Sequence, residues 1–328
     1  MWLFSVLKII MTIIMKIAHF IWDKTPMSFL NVCTVLSFLK FHTDWAVNVW
    51  ILNTNLDERQ WTYGAHGDGA NWYDYFYLLE NNKRIEIKKI DDYHDLKNIK
   101  YTSIHLVDYI KYFIIHEYGG TYIDFDILFH DNIQSYVNIV NTTIFYMPKY
   151  RKDSYNESSV ISHIPNGLLI SKKNSLFFRK ILNDIDLYYD KHAYNTFGAN
   201  MFKDIFKLDE NSTCESIQLK INTICGELVN VNNGNVYLPI KGYDTNLIFS
   251  ETDFSLDLLK RVQKSFGIHW FAGATQSIYY RKKLDRKIRK YIKTNIFNRE
   301  CVVDDLIIDY LDKKISEIKC ALCVDVDT

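Results

Sequence analysis

The sequence predicts an α/β domain built on a mostly parallel sheet. Residues 16–22 form a short apolar run typical of a buried strand, residues 27–42 carry apolar side chains at helical spacing, and residues 46–52 alternate in strand fashion. A strand, a helix and a strand in such close succession are typical of a βαβ unit, whose two strands run parallel. The length of 328 residues is enough for one large domain with additions, or for two modest domains.

A second unit begins at Ser103. Apolar residues recur every three or four positions as far as Tyr118, which predicts a helix with one apolar face. Gly119-Gly120 should end this helix, because glycine tolerates the left-handed conformation at a helix C-terminus. A single strand is predicted to follow at residues 121–129. Further strands are predicted at 143–147 and 167–171, and further helices at 175–189 and from 281 to the end.

The composition excludes two broad classes. Hydrophobic residues make up 48% of the chain and aromatic residues 15%, which is enough for a sizeable core and excludes global disorder. The 39 Lys and Arg residues equal the 39 Asp and Glu residues in number, so no overall field attracts polyanions. This balance argues against a dedicated nucleic-acid-binding protein.

Asp124 and Asp126 are the residues most indicative of chemistry. Residues i and i+2 of a strand point to the same side, so the two carboxylates are expected to project together from the predicted strand. Such a pair is costly unless a cation or hydrogen bonds satisfy it. Mg²⁺ or Mn²⁺ is the expected partner, since both are hard cations that take oxygen ligands and leave positions open for phosphate. The alternative is a pair of surface aspartates at a strand end.

The surrounding sequence resembles a known family. Residues 107–126, VDYIKYFIIHEYGGTYIDFD, look like the DXD sugar-binding region of glycosyltransferase family 32. That family includes initiating α-1,6-mannosyltransferases, α-1,4-galactosyltransferases and capsular-polysaccharide enzymes, and the catalytic domains of the large glucosylating toxins are similar. Shorter matches lie at residues 17–22, 44–45, 165–167 and, more weakly, at Gly198 and 267–270. The resemblance implies a GT-A nucleotide-sugar transferase fold, a Rossmann-like sheet flanked by helices, with a helical C-terminal addition.

The resemblance also implies a nucleotide and metal site. Trp22 would stack on the nucleotide base, although it could instead be a core aromatic. Tyr122 and Asp124 would contact the nucleotide or reach the metal through water, and Asp126 would bind the metal directly. His269 would be the last protein ligand of the ion or a pyrophosphate contact; the alternative is a satisfied buried histidine.

The same resemblance places the donor sugar near a second group. Asp108 would hydrogen-bond sugar hydroxyls, and Asn166 would approach the donor sugar unless it is only a turn residue. Family members usually carry Arg at the position of Lys111, and Lys keeps the charge but loses the planar fork. Gly198-Ala199 stands in place of the usual Gly-Pro, and Ser277-Ile278 in place of the usual Ser-Trp, so closure over the donor is expected to differ.

These residues predict a metal-dependent glycosyltransferase, and the resemblance implies that its transfer retains the α-configuration. It would move a hexose from a nucleotide-sugar, with UDP-linked donors favoured over GDP-mannose, to a glycan or other hydroxyl acceptor. One alternative is a catalytically inactive relative that still binds sugar nucleotides. The other is a phosphatase of the haloacid dehalogenase type, whose D-x-D usually lies in the first strand, whereas here a strand, a helix and a strand come before it.

The two ends of the chain give the remaining predictions. Residues 1–14 form an apolar extension, read as a short anchor or a misassigned start; residues 15–280 form the transferase domain, and residues 281–328 a helical region. Residues 281–293 are basic and amphipathic, which allows peripheral membrane contact. A cytoplasmic or membrane-associated location is therefore favoured over a secretory lumen. Cys320 and Cys323 are read as reduced thiols on a helix.

Overall fold

A computed structural model describes most of the chain between residues 16 and 294. The described residues are 16–23, 25–52, 73–93, 99–101, 103–137, 141–150, 161–193, 195–209, 211–249 and 256–294. The predicted extension at 1–14 and the Cys320 and Cys323 pair lie outside them. None of the helices formed by these residues has the length and apolar character needed to cross a membrane.

The central feature is a mixed sheet. The strands are β1 (Ile17–Trp22), β2 (Ala46–Ile51), β3 (Ile85–Lys89), β4 (Gly120–Ile123), β5 (Ile127–Phe129), β6 (Thr142–Tyr150), β7 (Ile161–His163), β8 (Leu168–Ser171), β9 (Val229–Asn233) and β10 (Gly267–His269). Within the described residues, eight strands form one sheet in the order β3-β2-β1-β4-β8-β6-β7, with β9 beside β6. Strands β1 to β4 pair in parallel, as do β6 and β9, whereas β8 is antiparallel to both β4 and β6. Strands β5 and β10 form a separate antiparallel pair.

Helices cover both faces of this sheet. They are α1 (Phe29–Phe41), α2 (Tyr77–Glu80), α3 (Ser103–Tyr118), α4 (Leu176–Asp184), α5 (Met201–Phe206), α6 (Cys214–Cys225), α7 (Thr245–Phe249), α8 (Leu256–Gln263) and α9 (Thr275–Thr294). One apolar core joins the sheet to α1 and α9, and the other joins it to α3, α4, α5 and α6. Side chains alternate between the two cores along the central strands of this sheet, as Phe20 and Ile21 do in β1. The predicted α/β class is therefore confirmed.

The first βαβ unit forms as predicted. Strands β1 and β2 pair in parallel from Ile17 opposite Ala46 to Trp22 opposite Ile51. Helix α1 between them begins after Ser28, whose hydroxyl accepts a hydrogen bond of 3.3 Å from the backbone N–H of Asn31 and so caps the helix. Trp22 consequently lies at the carboxyl end of β1, the edge at which ligands bind in sheets of this kind.

Gly119-Gly120 ends α3 in the predicted conformation. Both residues have positive φ, +68° and +91°, which glycine adopts without strain. A methyl group at residue 120 would also lie 2.5 Å from the carbonyl oxygen of Ile17, so β4 approaches β1 more closely than a larger residue allows. His19 closes this contact, with its Nε2 3.0 Å from the carbonyl of Gly119. Burial lowers the pKa of His19 to about 4, so the ring is neutral and structural.

The prediction of one strand at residues 121–129 was wrong. Strand β4 ends at Ile123, β5 begins at Ile127 in the other sheet, and a turn joins them through Asp124 and Asp126. The chain changes partners at this point: the N–H of Asp124 still donates to Gly167 at 2.8 Å, whereas the carbonyl of Asp126 accepts from Trp270 at 2.8 Å. The two carboxylates therefore converge across a turn rather than by alternation along a strand.

Helix α9 belongs to the core of the molecule. It begins at Thr275, so the predicted boundary at residue 281 falls inside it, and the division into domains stays a prediction. Leu284 and Ile288 are 6% and 8% exposed and pack into the core shared with α1. The apolar stripe of the basic segment is thus already covered, and membrane contact remains a prediction that now depends on exposed basic side chains such as Arg286.

Candidate active site

Three predicted metal ligands meet where the two sheets join. Asp124, Asp126 and His269 each offer one ligand atom, and these atoms lie within 4.8 Å of one another. The antiparallel register of β5 and β10 pairs Ile127 with His269, which brings the imidazole beside the residue before Ile127. Residues far apart in the sequence therefore form one compact group.

Asp126 is partly buried, and only one of its two carboxylate oxygens is hydrogen-bonded. Its Oδ2 accepts a hydrogen bond of 2.9 Å from the backbone N–H of Ala272. Its Oδ1 lies 3.2 Å from Nε2 of His269, but the two atoms are not aligned for a hydrogen bond, and Oδ1 has no hydrogen-bond partner among the described residues. Burial raises the pKa of Asp126 above its ordinary value, although the nearby His269 acts in the opposite direction. A carboxylate oxygen and an imidazole nitrogen in this relation suit a shared cation.

The tautomer of His269 follows from its other nitrogen. The backbone N–H of Phe271 donates to Nδ1 of His269 at 3.2 Å, so the neutral ring carries its proton on Nε2. A cation bound through Nε2 would displace this proton. Phe271, whose N–H orients the imidazole of His269, lies in the turn after β10 and has a φ of +50°.

Gly167 leaves space between two of the ligands. A methyl group at this position would lie 2.8 Å from Oδ2 of Asp124 and 3.6 Å from Nε2 of His269. The glycine precedes β8, and its carbonyl accepts the hydrogen bond from the N–H of Asp124 described above. The space that a side chain would fill is therefore bounded by a carboxylate oxygen and an imidazole nitrogen.

Asp124 is oriented by two neighbours. The hydroxyl of Tyr122 donates to its Oδ1 at 2.5 Å, and Nζ of Lys111 lies 3.5 Å from the same oxygen. Lys111 is 3% exposed, and its ammonium group also lies 2.8 Å from Asp108 and 4.9 Å from the centre of the Tyr122 ring. Burial by itself lowers the pKa of Lys111, but the carboxylates of Asp108 and Asp124 outweigh it and raise the pKa, so Lys111 is a buried cation.

The predicted sugar-binding residues form a network with this lysine. Nδ2 of Asn166 donates to Oδ1 of Asp108 at 3.1 Å and to the hydroxyl of Tyr112 at 3.3 Å. The hydroxyl of Tyr112 in turn donates to the carbonyl of Phe197 at 2.5 Å. Gly198 lies directly against Asn166, because a methyl group there would be 3.2 Å from Nδ2. The structure thus brings Asp108, Lys111 and Asn166 together beside Asp124.

Trp22 lies near the group without contacting the ligand atoms directly. Its indole N–H donates to the carbonyl of Thr25 at 2.7 Å, and its ring packs edge-on against Phe125 at 5.0 Å between centroids. Phe125 separates the two aspartates, so Trp22 is placed beside the turn that carries them. The side chain is only partly buried, which leaves ring surface for stacking.

Sequence reasoning missed three residues of this region: Gly167, Tyr237 and Arg281. Nη2 of Arg281 donates to the carbonyl of Ala272 at 2.9 Å, and its guanidinium lies 5.5 Å from the centre of the Trp270 ring. Arg281 stands at the start of the basic segment 281–293, for which only peripheral membrane contact was considered from the sequence. Its burial depends on how α9 packs, which no local pattern reveals.

Two family models match consecutive parts of the chain. Residues 28–145 match the model described as glycosyltransferase sugar-binding region containing DXD motif, and residues 170–301 match the model described as alpha 1,4-glycosyltransferase conserved region. Asp124-Phe125-Asp126 is the one D-x-D sequence within the first match. The chain is a DXD glycosyltransferase. The family resemblance predicted from residues 107–126 is confirmed, and the phosphatase alternative is set aside.

Several solved structures are similar to this glycosyltransferase at low identity. The PaToxG glycosyltransferase is 13% identical, with 80% of this chain and 93% of that chain covered and a TM-score of 0.39. The galactosyltransferase LgtC in complex with donor and acceptor sugar analogs is 13% identical, with 78% and 87% covered and a TM-score of 0.35. A glycosyltransferase involved in the glycosylation of the major capsid of PBCV-1 is 11% identical, with 82% and 98% covered and a TM-score of 0.35. Among curated proteins, none matches the glycosyltransferase in sequence.

Proposed function

We propose that the glycosyltransferase moves a hexose from a nucleotide-sugar to a glycan or other hydroxyl acceptor, with a divalent cation held by Asp124, Asp126 and His269. One observation carries the metal site: three ligand atoms lie within 4.8 Å of one another, and one of them, Oδ1 of Asp126, is buried without a hydrogen-bond partner among the described residues. A buried ionised carboxylate is strongly unfavourable unless a cation or donors compensate it.

The ligand set suits Mn²⁺ or Mg²⁺. Two carboxylates supply the oxygen ligands that both ions prefer, and the imidazole nitrogen of His269 favours Mn²⁺ over Mg²⁺. Gly167 keeps open the space between Asp124 and His269. When bound, such an ion supplies positive charge that stabilises a departing nucleoside diphosphate.

The protein residues would bind and orient the donor. Tyr122 and Lys111 hold Oδ1 of Asp124, so Oδ2, which faces Gly167, is the oxygen available for the cation. Asp108 and Asn166 would position the hexose hydroxyls, because they are already hydrogen-bonded to each other and fixed by Lys111. Prior orientation of this kind lowers the entropic cost of reaching the reactive geometry.

The finer features of the reaction follow from the family resemblance. The partly buried ring of Trp22 would stack on the nucleotide base, and UDP-linked donors are favoured over GDP-mannose. The transfer is expected to retain the α-configuration. No second carboxylate has been assigned as a nucleophile, so the proposal includes no covalent intermediate.

A donor screen tests this function. The purified chain with Mn²⁺ is offered a panel of UDP- and GDP-sugars, and release of the nucleoside diphosphate is followed with and without a chelator. We expect release from one donor, lost with the chelator and in Asp126→Asn, and kept in the control variant Asp209→Asn, whose carboxylate is at the surface.

Two results would oppose the proposal. Release that continues in chelator and in Asp126→Asn would contradict the metal assignment. No release from any donor, together with no metal-dependent binding of UDP or GDP, would contradict both the proposed transfer and the alternative of an inactive relative that still binds sugar nucleotides.

A further inference from the structure

Tyr237 is fully buried in the apolar core that the sheet shares with α1 and α9. Its ring packs edge-on against Phe145 at 5.3 Å between centroids and lies nearly parallel to Phe266 at 6.2 Å. Its backbone carbonyl accepts a hydrogen bond of 3.0 Å from the N–H of His269. The tyrosine is therefore held rigidly, and it is attached directly to the strand that carries the imidazole.

The hydroxyl of Tyr237 has no hydrogen-bond partner among the described residues. Other buried tyrosines each have one: the hydroxyl of Tyr112 donates to Phe197 at 2.5 Å, that of Tyr122 to Asp124 at 2.5 Å, and that of Tyr146 to Ser212 at 2.8 Å. A buried polar group without a partner destabilises the protein, and such groups are rare in folded proteins. The exception at Tyr237 therefore requires an explanation.

The electrostatic surroundings of this hydroxyl are those of the metal site. Burial, and then the carboxylates of Asp124 and Asp126, hold the pKa of Tyr237 well above its ordinary range. A tyrosine hydroxyl carries its proton at neutral pH in any case, so this group is a hydrogen-bond donor. Oδ1 of Asp126, on one of these two carboxylates, also lacks a hydrogen-bond partner among the described residues, so a donor and an acceptor are both left unsatisfied.

We propose that Tyr237 is a binding residue of the donor site, and that its hydroxyl donates a hydrogen bond to an oxygen ligand of the divalent ion. That oxygen belongs to water in the metal-loaded protein and to a phosphate once a nucleotide binds. The inference rests on the proposed function, because the ion is proposed there. The hydroxyl of Tyr237 needs a hydrogen-bond acceptor. Hard divalent ions complete their coordination with water and phosphate oxygens, and these oxygens are acceptors.

Isothermal titration of three proteins tests this role. Wild type, Tyr237→Phe and Tyr146→Phe are titrated with Mn²⁺ alone, and then with UDP and with GDP in the presence of Mn²⁺. We expect Tyr237→Phe to weaken binding of Mn²⁺, of the nucleotide, or of both about ten-fold, the usual effect of losing one hydrogen bond to a charged ligand. Loss with Mn²⁺ alone identifies water as the acceptor, and loss only with nucleotide identifies phosphate.

Thermal unfolding in chelator separates this role from a structural one. Tyr237→Phe removes an unsatisfied hydroxyl, so its melting temperature should equal or exceed that of wild type. Tyr146→Phe removes a satisfied hydroxyl remote from the ligands, so it should melt lower and bind Mn²⁺ and nucleotide as wild type does.

The negative outcomes are distinct. If wild type binds Mn²⁺ and nucleotide but Tyr237→Phe binds them equally well, the inference fails and the proposed function stands. If wild type shows no Mn²⁺-dependent binding of UDP or GDP, the proposed function fails and the inference fails with it. A lower melting temperature of Tyr237→Phe in chelator would show that the hydroxyl has a protein partner, which also overturns the inference.

Discussion

At the scale of single residues, Gly167 is the most sensitive position of the site. An alanine there places a methyl group 2.8 Å from Oδ2 of Asp124 and 3.6 Å from Nε2 of His269. The backbone φ of Gly167 lies outside the range that L-residues avoid, so the substitution should leave the fold intact. The effect is therefore confined to the space between the two ligands.

We expect Gly167→Ala to weaken Mn²⁺ binding at least ten-fold. Its melting temperature in chelator should stay within about 3 °C of the wild-type value, because only the end of the Asp124 side chain has to move, at a cost of about 1 kcal/mol or less. Calorimetric titration and thermal unfolding measure the two quantities. Unchanged Mn²⁺ affinity would show that the cation does not lie between Asp124 and His269.

Lys111 is a second residue whose role can be measured. It is 3% exposed between Asp108 and Asp124, and its removal leaves the carboxylate of Asp108 buried without its counter-ion. Lys111→Met should lower the free energy of unfolding by about 3 kcal/mol, because breaking a buried ion pair from one side is strongly destabilising. Denaturant unfolding measures this loss.

The control for Lys111 is Lys180, which pairs with Asp184 at 2.7 Å on the surface of α4. Lys180→Met should change the free energy of unfolding by less than about 1 kcal/mol, since exposed pairs contribute little. Equal effects of the two substitutions would contradict the buried-cation role of Lys111.

At the scale of elements, α9 is joined to the loop that holds the ligands. The N–H of Ala272 binds Asp126 at 2.9 Å, and the carbonyl of Ala272 accepts from Arg281 of α9, also at 2.9 Å. Ser277, near the start of α9, also donates to the carbonyl of Trp270 at 2.5 Å. The helix thus fixes the turn after β10, and this turn fixes His269 and one oxygen of Asp126.

Replacing Arg281 should therefore disturb the site from outside it. We expect Arg281→Met to weaken Mn²⁺ binding about three- to ten-fold, as the turn loses one charged hydrogen bond of about 1.5–3 kcal/mol. The control is Arg289→Met on the same helix, whose guanidinium lies over the ring of Tyr73 at 4.0 Å. If both variants bind Mn²⁺ as wild type does, the coupling between α9 and the ligands is refuted.

The elements themselves were largely predictable. The first βαβ unit and α3 carry strong apolar periodicity, and Gly119-Gly120 marks the end of α3 by its backbone freedom. The break between β4 and β5 was not predictable, because residues 121–129 contain enough apolar side chains to form one continuous strand. Their separation results from pairing with β8 on one side and β10 on the other, which is a tertiary effect.

The site was predictable to a similar degree. Asp124 and Asp126 follow from a local motif, and His269 was reached only through the family resemblance. Tyr237 and Arg281 were not predicted, because their importance lies in burial and in the presence or absence of hydrogen-bond partners. These properties appear only when distant parts of the chain are brought together.

At the scale of the whole molecule, Asp285 joins the C-terminal helix to the first βαβ unit. Its Oδ1 accepts a hydrogen bond of 2.9 Å from the N–H of Phe29, at the start of α1. The carboxyl is 2% exposed, and burial raises its pKa to about 7. The folded protein therefore binds this proton more tightly than the unfolded chain, in which the pKa of Asp285 is near its ordinary value of 3.8.

This shift gives the stability a defined pH dependence. The contribution of protonated Asp285 is present below the unfolded pKa and is lost as the pH rises from about 4 to about 7. Asp285→Asn removes this titrating group. Between pH 5 and pH 8 the wild type should therefore lose about 1–3 kcal/mol of unfolding free energy relative to the variant. Denaturant unfolding at the two pH values measures this, and a difference that does not change with pH would contradict it.

The arrangement of the whole molecule places the proposed metal site at a junction. Asp124 directly follows strand β4 of the main sheet, Asp126 directly precedes β5, His269 is the last residue of β10, and α9 holds the turn after β10. The central claim is that these three side chains hold one divalent cation against the donor diphosphate.

Anomalous diffraction from crystals grown with Mn²⁺ and UDP tests this claim most directly. We predict one manganese peak bounded by Asp124, Asp126 and His269, in contact with the diphosphate and absent in Asp126→Asn crystals. Bound UDP with no manganese at these residues, or a manganese peak elsewhere on the chain, would contradict it.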